Sequence, residues 1–298
     1  MASKVSEPVT PDKKAARPLS DERARLIALM DDYTQALVER DPARIRISPH
    51  LRSTEDTQAI ALGCGIWRTI RGLKKPGHYF VDETARQVEY WAVMDEMGQE
   101  AIVAIRLRIE AQIITEVETI VTRAGTFFRP EALADDASDT FHRVLDPARR
   151  SGRADLIRAV NLYFDGIELS RGDMVPVDDE CRRLVNGVVD SLDDPDNLVP
   201  GEEHRALTVS EQITAGHYAY IEALRDRRFP VIDEERGLVV CHVVFDHPGD
   251  LLRAAGDLPI KSPNSMVFTE IFKVVDGSIE EIWALGTAPL PLGIRSGW

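Results

Sequence analysis

The sequence predicts an α+β protein made of two tandem, cone-shaped barrels, each a curved antiparallel sheet folded over helices. Three observations lead there. The chain has 298 residues, about two domains at roughly 100 to 200 residues each. Its halves share four similar segments that recur in the same order. In each half a helical period comes first and strand patterns follow.

Residues 1–20, MASKVSEPVTPDKKAARPLS, are polar, with Lys and Pro and no apolar stretch. They fit a disordered lead-in and no secretory signal. LIALMDDYTQAL at 26–37 and LIRAVNLYFDGI at 156–167 then align at a constant offset of 130. Leu26, Leu29, Met30, Tyr33 and Leu37 form one helical stripe. Helix-start chemistry precedes both segments, as Ser20-Asp21 and as Arg153-Ala154-Asp155. The same offset pairs residues 51–56 with 181–186, and shorter helices are predicted over Thr57–Ile70 and Val209–Arg225. VDETARQVEYWAVMDE at 81–96 echoes IDEERGLVVCHVVFDH at 232–247, each a strand after an acidic turn. IRLRIEAQIITEVETIV at 105–121 echoes EIFKVVDGSIEEIWALG at 270–286, each a hairpin about Ala111-Gln112 or Asp276-Gly277. The offset grows from 130 to 151 to 165, which places insertions in the second copy near Asp193–His204 and His247–Asn264. Residues 124–152 read as a linker whose Phe127 and Phe128 pack back on a barrel, leaving barrels at 21–123 and 153–298.

Thirty-six Lys plus Arg face 50 Asp plus Glu, a formal net charge of −14. So acidic a body repels phosphate backbones and anionic lipid, which argues against nucleic acid or a membrane surface as partner. Hydrophobic residues at 44% and charged residues at 29% suit a globular protein with real cores. No apolar run is long enough to span a bilayer. Cys64, Cys181 and Cys241 stand apart, offering neither a disulfide framework nor metal-ligand spacing, so a reducing, cytoplasmic setting is expected. The histidines lack a third ligand at credible spacing, and Gly63-Cys64-Gly65 lacks the third glycine of a dinucleotide loop. No metal and no cofactor are expected. Arg171-Gly172-Asp173, in the turn after a helix, reads as a chance tripeptide with no adhesion role, and the acidic clusters Asp135-Asp136 and Asp178-Asp179-Glu180 read as solvated turns and helix caps.

A helix, the Thr54-Glu55-Asp56 segment, LGCGIW, a Val-Asp strand and RLRIEAQIITEVETIVTR together resemble the nuclear transport factor 2-like, or SnoaL-like, superfamily. YFDGIE, DDECRRLVNG, RFPVIDEERGLV, FDHPG, TEIFKVVDGSIEEI and PLGIRSGW resemble a tandem-repeat branch of it. The resemblance covers residues 21–123 and 153–298 and is specific for fold, while members range from dehydratases and isomerases to non-catalytic modules. Its Glu-Asn-Gly pattern is split here: Glu55-Asp56 keeps the acid, and Asn186-Gly187 keeps the rest. For a tandem member the resemblance implies a cofactor-independent carbon–carbon lyase acting on a hydroxylated aromatic. The most specific form is deformylation of a lignin-derived diarylpropane diol to a stilbene and formaldehyde. A ligand-binding or oligomerisation module, or an isomerase, dehydratase or epoxide hydrolase, is the alternative.

The first barrel reads as the more polar one. Arg106, Arg108, Glu110, Glu116 and Glu118 lie on its last hairpin, and Arg106 and Glu118 face Ile271 and Trp283 in the copy. An acid and an Arg on neighbouring strands can deprotonate a substrate and hold the resulting anion. Tyr33 on the helix stripe could donate a proton, with Glu55 and His78 behind it near the expected mouth. Trp67, Tyr90 and Trp91 could wall an aromatic ligand, with Arg108 also in contact. The competing account makes the charges a cross-strand ladder facing water and the aromatics core. In the second barrel Tyr163, Asp165, Cys181, Asn186, His217, Tyr220 and His242 are the polar candidates, His242 reading as a core residue. The partners expected are a small aromatic substrate and further copies of the chain in a homo-oligomer.

Overall fold

The computed structural model describes residues 19–75, 77–125, 127–135, 139–249 and 262–298. Most of the polar lead-in and residues 250–261 of the second predicted insertion lie outside the described residues. The first barrel opens with helix α1 (Asp21–Glu39), whose N-cap Ser20 accepts a hydrogen bond from the Arg23 amide. Strands β1 (Ile47–Glu55) and β2 (Gln58–Ala59), helix α2 (Ile66–Thr69) and strands β3 (Ile70–Leu73) and β4 (His78–Asp82) follow. Three long strands, β5 (Gln87–Glu96), β6 (Gln99–Glu110) and β7 (Ile113–Thr122), complete it. The sheet runs β2-β1-β7-β6-β5-β3, with β4 also paired to β5.

The second barrel repeats this plan. Helix α5 (Arg153–Leu169), strands β8 (Val177–Val185) and β9 (Val188–Val189), and helix α6 (Val209–Thr214) precede β10 (Ala223–Asp233), β11 (Leu238–His247), β12 (Asn264–Val275) and β13 (Ser278–Gly286). Its sheet order is β10-β11-β12-β13-β8-β9. The α+β cone is thus present twice, with α1, β1 and β2 answered 130 residues later and β6 and β7 165 residues later. The hairpin turns fall at Ala111-Gln112 and Asp276-Gly277, all four residues at positive φ, as a tight hairpin twisted like its strands demands. Both shorter helices are curtailed. Thr57–Ile70 contains only the single turn α2, because Gly63 and Gly65 at φ 86° and 61° interrupt it. Val209–Arg225 stops at Thr214, shortly before Gly216 at φ 73°, and its last residues join β10.

Side-chain alternation gives each sheet two faces. The inner face of the first sheet (Val103, Ile105, Leu107) packs on α1 through Leu26, Met30, Tyr33 and Leu37. In the second, Val239, Cys241, Phe272 and Ile282 pack on α5 through Val160, Tyr163 and Phe164. The two outer faces pack against each other in a third core, with Phe80, Trp91, Ile102 and Ile120 opposite Val240, Ile271, Trp283 and Leu285. The segment between the barrels carries α3 (Pro130–Asp135) and α4 (Asp139–His142), and wedges Leu133 and Phe141 into this same core.

A buried ionic lock crosses that interface. His242 on β11 lies 2.8 Å from Glu89 Oε2 and 3.0 Å from Glu118 Oε1, both carboxylates of the first barrel. Arg106 Nε donates to Glu118 at 2.9 Å, and Arg228 of β10 donates to the same carboxylate at 3.1 Å. Burial opposes the charge on His242, but Glu118 and Glu89 overcome it and raise its pKa. The residues after β13 strap the two halves together. Arg225 holds the Ile294 carbonyl at 2.5 Å, Trp298 Nε1 donates to Thr54 Oγ1 at 3.1 Å, and the indole stacks under Arg52 and Arg106. Gly297 permits the approach, since a Cβ there would stand 2.5 Å from the Thr57 carbonyl.

Replacing His242 with Leu leaves two buried carboxylates without their common cation, an expected loss of about 3–5 kcal/mol in urea unfolding at pH 6. Since the folded-state pKa of His242 is raised, its stabilisation is complete below about pH 6.5 and fades as pH climbs through the folded value. The gap between wild type and His242→Leu should therefore narrow in alkaline buffer. A gap independent of pH would show that the imidazole is neutral in the lock.

Candidate functional site

The residues singled out in the first barrel do not converge on one pocket. Tyr33, Trp67 and Tyr90 point inward, where Trp67 Nε1 donates to the Tyr33 hydroxyl at 3.1 Å and the Gly77 amide to Tyr90 at 3.1 Å. Burial pushes the Tyr33 phenol far above its usual range. Glu55 sits at the end of β1 and accepts the Ile66 amide at 2.8 Å, fastening α2. Arg106, Glu118 and Trp91 occupy the opposite face and belong to the interface, because even-numbered residues of β6 face outward. The expectation that Arg106 and Glu118 furnish the first barrel's interior is thereby corrected. His78 is on the outer face too, 2.9 Å from the Leu133 carbonyl and 3.2 Å from His142 Nε2. The space beside it is about 10 Å³, room for little more than a water. Arg108 lies at the surface in a ladder with Glu110 and Glu116 at 3.1 and 3.3 Å.

The polar interior belongs to the second barrel, the reverse of the asymmetry expected. Arg183 on β8 points inward, donating to Asp190 from Nε at 3.1 Å and Nη2 at 2.5 Å, and to the Tyr163 hydroxyl at 3.3 Å. Gln212 of α6 accepts from Arg183 and from Tyr218 at 2.8 Å, and donates to the Asp190 carbonyl at 2.6 Å. Burial opposes the ionisation of Asp190, yet Arg183 and His204 hold its pKa below the usual range. His204 stacks on His217 at 3.6 Å between ring centres. Burial and the charge of His204 push His217 down to about 4. Because Arg183 supplies the proton in its bond to Tyr163, the tyrosine keeps its own hydrogen for another acceptor.

Glu270 stands apart from this network. It lies on the inner face of β12, opposite Cys241 on one side and Ala284 on the other, only 2% exposed. Its Oε2 is buried without a hydrogen-bond partner. Burial lifts its pKa to about 8, the field of Arg183 pulling only partly the other way. Toward one end of the barrel the lining becomes aromatic, with Tyr220 stacked on His247 at 5.6 Å and Phe245 against Phe268 at 4.5 Å. A protonated carboxyl in such a place can give a proton at neutral pH and take one back. Burial pushes the Cys241 thiol far up and keeps it protonated, so it makes a poor nucleophile.

Arg183, Asp190, Gln212, Tyr218 and Glu270 went unrecognised in the sequence. Offsets of 130 and 165 align Arg183 with Ser53, Asp190 with Ile60 and Glu270 with Ile105, so these exchanges were visible. The exchanges of Arg106 for Ile271 and Glu118 for Trp283 mark the interface instead. The split Glu-Asn-Gly pattern proves structural: Asp56 Oδ1 accepts the Val121 amide at 2.9 Å, and Asn186 Oδ1 accepts the Gly286 amide at 2.9 Å. Among the described residues no group of three His, Cys, Asp or Glu side chains could hold a metal ion. None of their helices is long and apolar enough to cross a membrane. A groove of about 930 Å³ between the barrels is edged by Arg23, Asp82, Asp233 and Arg236. These four charges are already paired, Asp233 with Arg23 and Arg236, and Asp82 with Arg153.

A family model described as Domain of unknown function (DUF8021) matches residues 149–286, from just before α5 to the end of β13. No curated protein matches the chain. Among solved structures, a SnoaL-like polyketide cyclase of Agrobacterium tumefaciens aligns at 15% identity and a TM-score of 0.29, over 44% of this chain and 90% of that one. AusH from Aspergillus nidulans aligns at 17% identity and a TM-score of 0.30, over 46% and 86%. An isomerase described from Bacillus subtilis aligns at 8% identity and a TM-score of 0.31, over 45% and 87%.

The carboxyl of Glu270 is a group whose pKa rises on folding. Its favourable contribution is complete below an unfolded value of about 4.3 and is lost as pH passes through about 8. Glu270→Gln should match wild type near pH 5 and exceed it near pH 9 by a few kcal/mol, each pKa unit being worth about 1.4 kcal/mol. Thermal melts of the two proteins across that range measure it.

Proposed function

We propose that the second barrel carries out acid–base chemistry on a small hydroxylated aromatic molecule, with Glu270 as the proton donor. The observation that carries this reading is the buried Glu270 carboxyl, whose Oε2 has no hydrogen-bond partner and which is held largely protonated at pH 7 within an interior that turns aromatic toward one end. Tyr163, steadied by Arg183, is the second donor and would meet an oxygen that gains negative charge. The first barrel, its inner face closed by Tyr33, Trp67 and apolar side chains, serves as scaffold.

The finer form of the proposal is a carbon–carbon lyase that deformylates a 1,2-diarylpropane-1,3-diol bearing a para-phenol. Glu270 protonates the benzylic hydroxyl, which leaves as water while the phenol loses its proton, giving a quinone methide. The Glu270 carboxylate then takes the proton of the primary alcohol. The neighbouring C–C bond breaks, formaldehyde departs, and the electron pair restores the aromatic ring as a phenolate that is reprotonated. The diol thus becomes a stilbene, formaldehyde and water, and the carboxyl returns to its starting state. A donor with a pKa near the working pH suits both halves of such a cycle.

Incubation with phenolic dimers should produce stilbene absorbance together with formaldehyde. Glu270→Gln should lower turnover by about 10²- to 10³-fold. The wild-type rate should fall as pH rises through about 8, where the donor loses its proton. A folded Glu270→Gln variant with near-native turnover would remove the carboxyl from the chemistry.

A further inference from the structure

Glu270 is flanked on β12 by Thr269 and Ile271, and strand alternation sends both neighbours to the opposite face of the sheet. That face is where the first barrel docks. Glu89 of β5, 1% exposed, accepts a hydrogen bond from Thr269 Oγ1 at 2.7 Å and lies 2.8 Å from His242 Nε2. Thr269 stands opposite His242 in the β11–β12 ladder, and Glu270 stands opposite Cys241. One carboxylate of the first barrel therefore grips both strands a single residue away from the rung that carries Glu270. The grip is itself held, since Trp91 Nε1 donates to the same carboxylate oxygen at 2.8 Å from its own strand.

We infer that Glu89 is a positioning residue for Glu270, acting through Thr269 and His242 to fix the depth and direction of the β11–β12 rung. The inference rests on the reading of Glu270 as proton donor. Adjacent Cα atoms in a strand are about 3.8 Å apart and joined by a planar peptide, so a displacement of Thr269 is passed on to Glu270. A misplacement of about 1 Å can cost on the order of 10²-fold in rate. The apolar side chains of the interface, Ile271 and Trp91 among them, hold the barrels together by area and do not fix this rung as a hydrogen bond does. Glu89 is directional. It thereby gives the first barrel a part in chemistry that takes place on the far side of the second sheet.

Thr269→Val removes one bond to Glu89 and keeps shape, leaving the His242 lock in place. Glu89→Gln removes the charge that His242 needs. In Thr269→Val we expect kcat to drop about tenfold with KM little changed, and the alkaline limb of the rate profile to move down by about half a pH unit as water reaches Glu270. Thr269→Ser, which keeps the hydroxyl, should restore both. The Glu270 carboxyl can also be titrated directly, from infrared spectra of wild type minus Glu270→Gln, without any substrate. A titration that shifts in Thr269→Val and returns in Thr269→Ser supports positioning even where no turnover is found. A titration unmoved in Thr269→Val and Glu89→Gln, both folded by circular dichroism, overturns it whatever the turnover.

Discussion

Two carboxylates of the first barrel, Glu89 and Glu118, close on one imidazole of the second, His242, and the rest of the molecule is arranged around that contact. Without it, the outer faces of the two sheets would still share an apolar core and the Arg23–Asp233 and Asp82–Arg153 pairs, but two buried carboxylates would lose their shared cation. Burial alone would disfavour all three charges, and it is their mutual field, with Arg106 and Arg228 beside Glu118, that lowers the pKa of both acids and raises that of the imidazole. Arg106 and Arg228 extend the cluster toward the surface, where Trp298 covers both guanidinium groups with its ring. Cations and π-face are matched there, while Arg106 Nη2 and Arg228 Nε are buried without a hydrogen-bond partner.

This arrangement divides labour between the copies. A sheet that docks through its outer face has only its inner face left for a ligand. In the first barrel that face is filled by Ile105, Leu107 and the helix stripe through Tyr33. In the second, Glu270 replaces the isoleucine and Arg183 replaces a serine, and Gln212 and Asp190 arrive to satisfy the guanidinium. An Arg buried with its donors satisfied is tolerable, and so is a carboxyl that stays neutral. The second interior can therefore be polar without unfolding, provided that Glu270 keeps its proton.

The architecture was legible because duplication leaves its mark in offsets. The turns at Ala111-Gln112 and Asp276-Gly277, and the paired helices of the two copies, could be read from spacing alone. Face assignment was not legible. Arg106, Ile271, Glu118 and Trp283 differ between copies, and such exchange does suggest an enclosed position. A strand enclosed on both sides has two interiors, however, and alternation does not say which one contains the helix. His242, between Cys241 and Val243, looked like a core histidine for the same reason: nothing local announced that its partners lie 153 and 124 residues back in the chain. The short helices were over-read because glycines at positive φ end them inside an otherwise favourable pattern.

Charge at the interface also solves a problem that duplication creates. Two similar barrels with apolar outer faces could each pair with a like barrel from another molecule, by the same burial that pairs them here. A buried ion cluster adds little net stability over a well-packed apolar one, because desolvation offsets most of the attraction. It does discriminate. First barrel against first barrel would set Glu89 and Glu118 against their own copies, and second against second would set His242 and Arg228 against theirs. Only the unlike pair adds His242 and Arg228 to Arg106, the cation that Glu118 already holds within its own barrel, and like-charge contacts in a desolvated interface cost several kcal/mol. Each outer sheet face is thereby occupied by the other, which leaves the helical sides and the strand edges as surfaces that this pairing does not use.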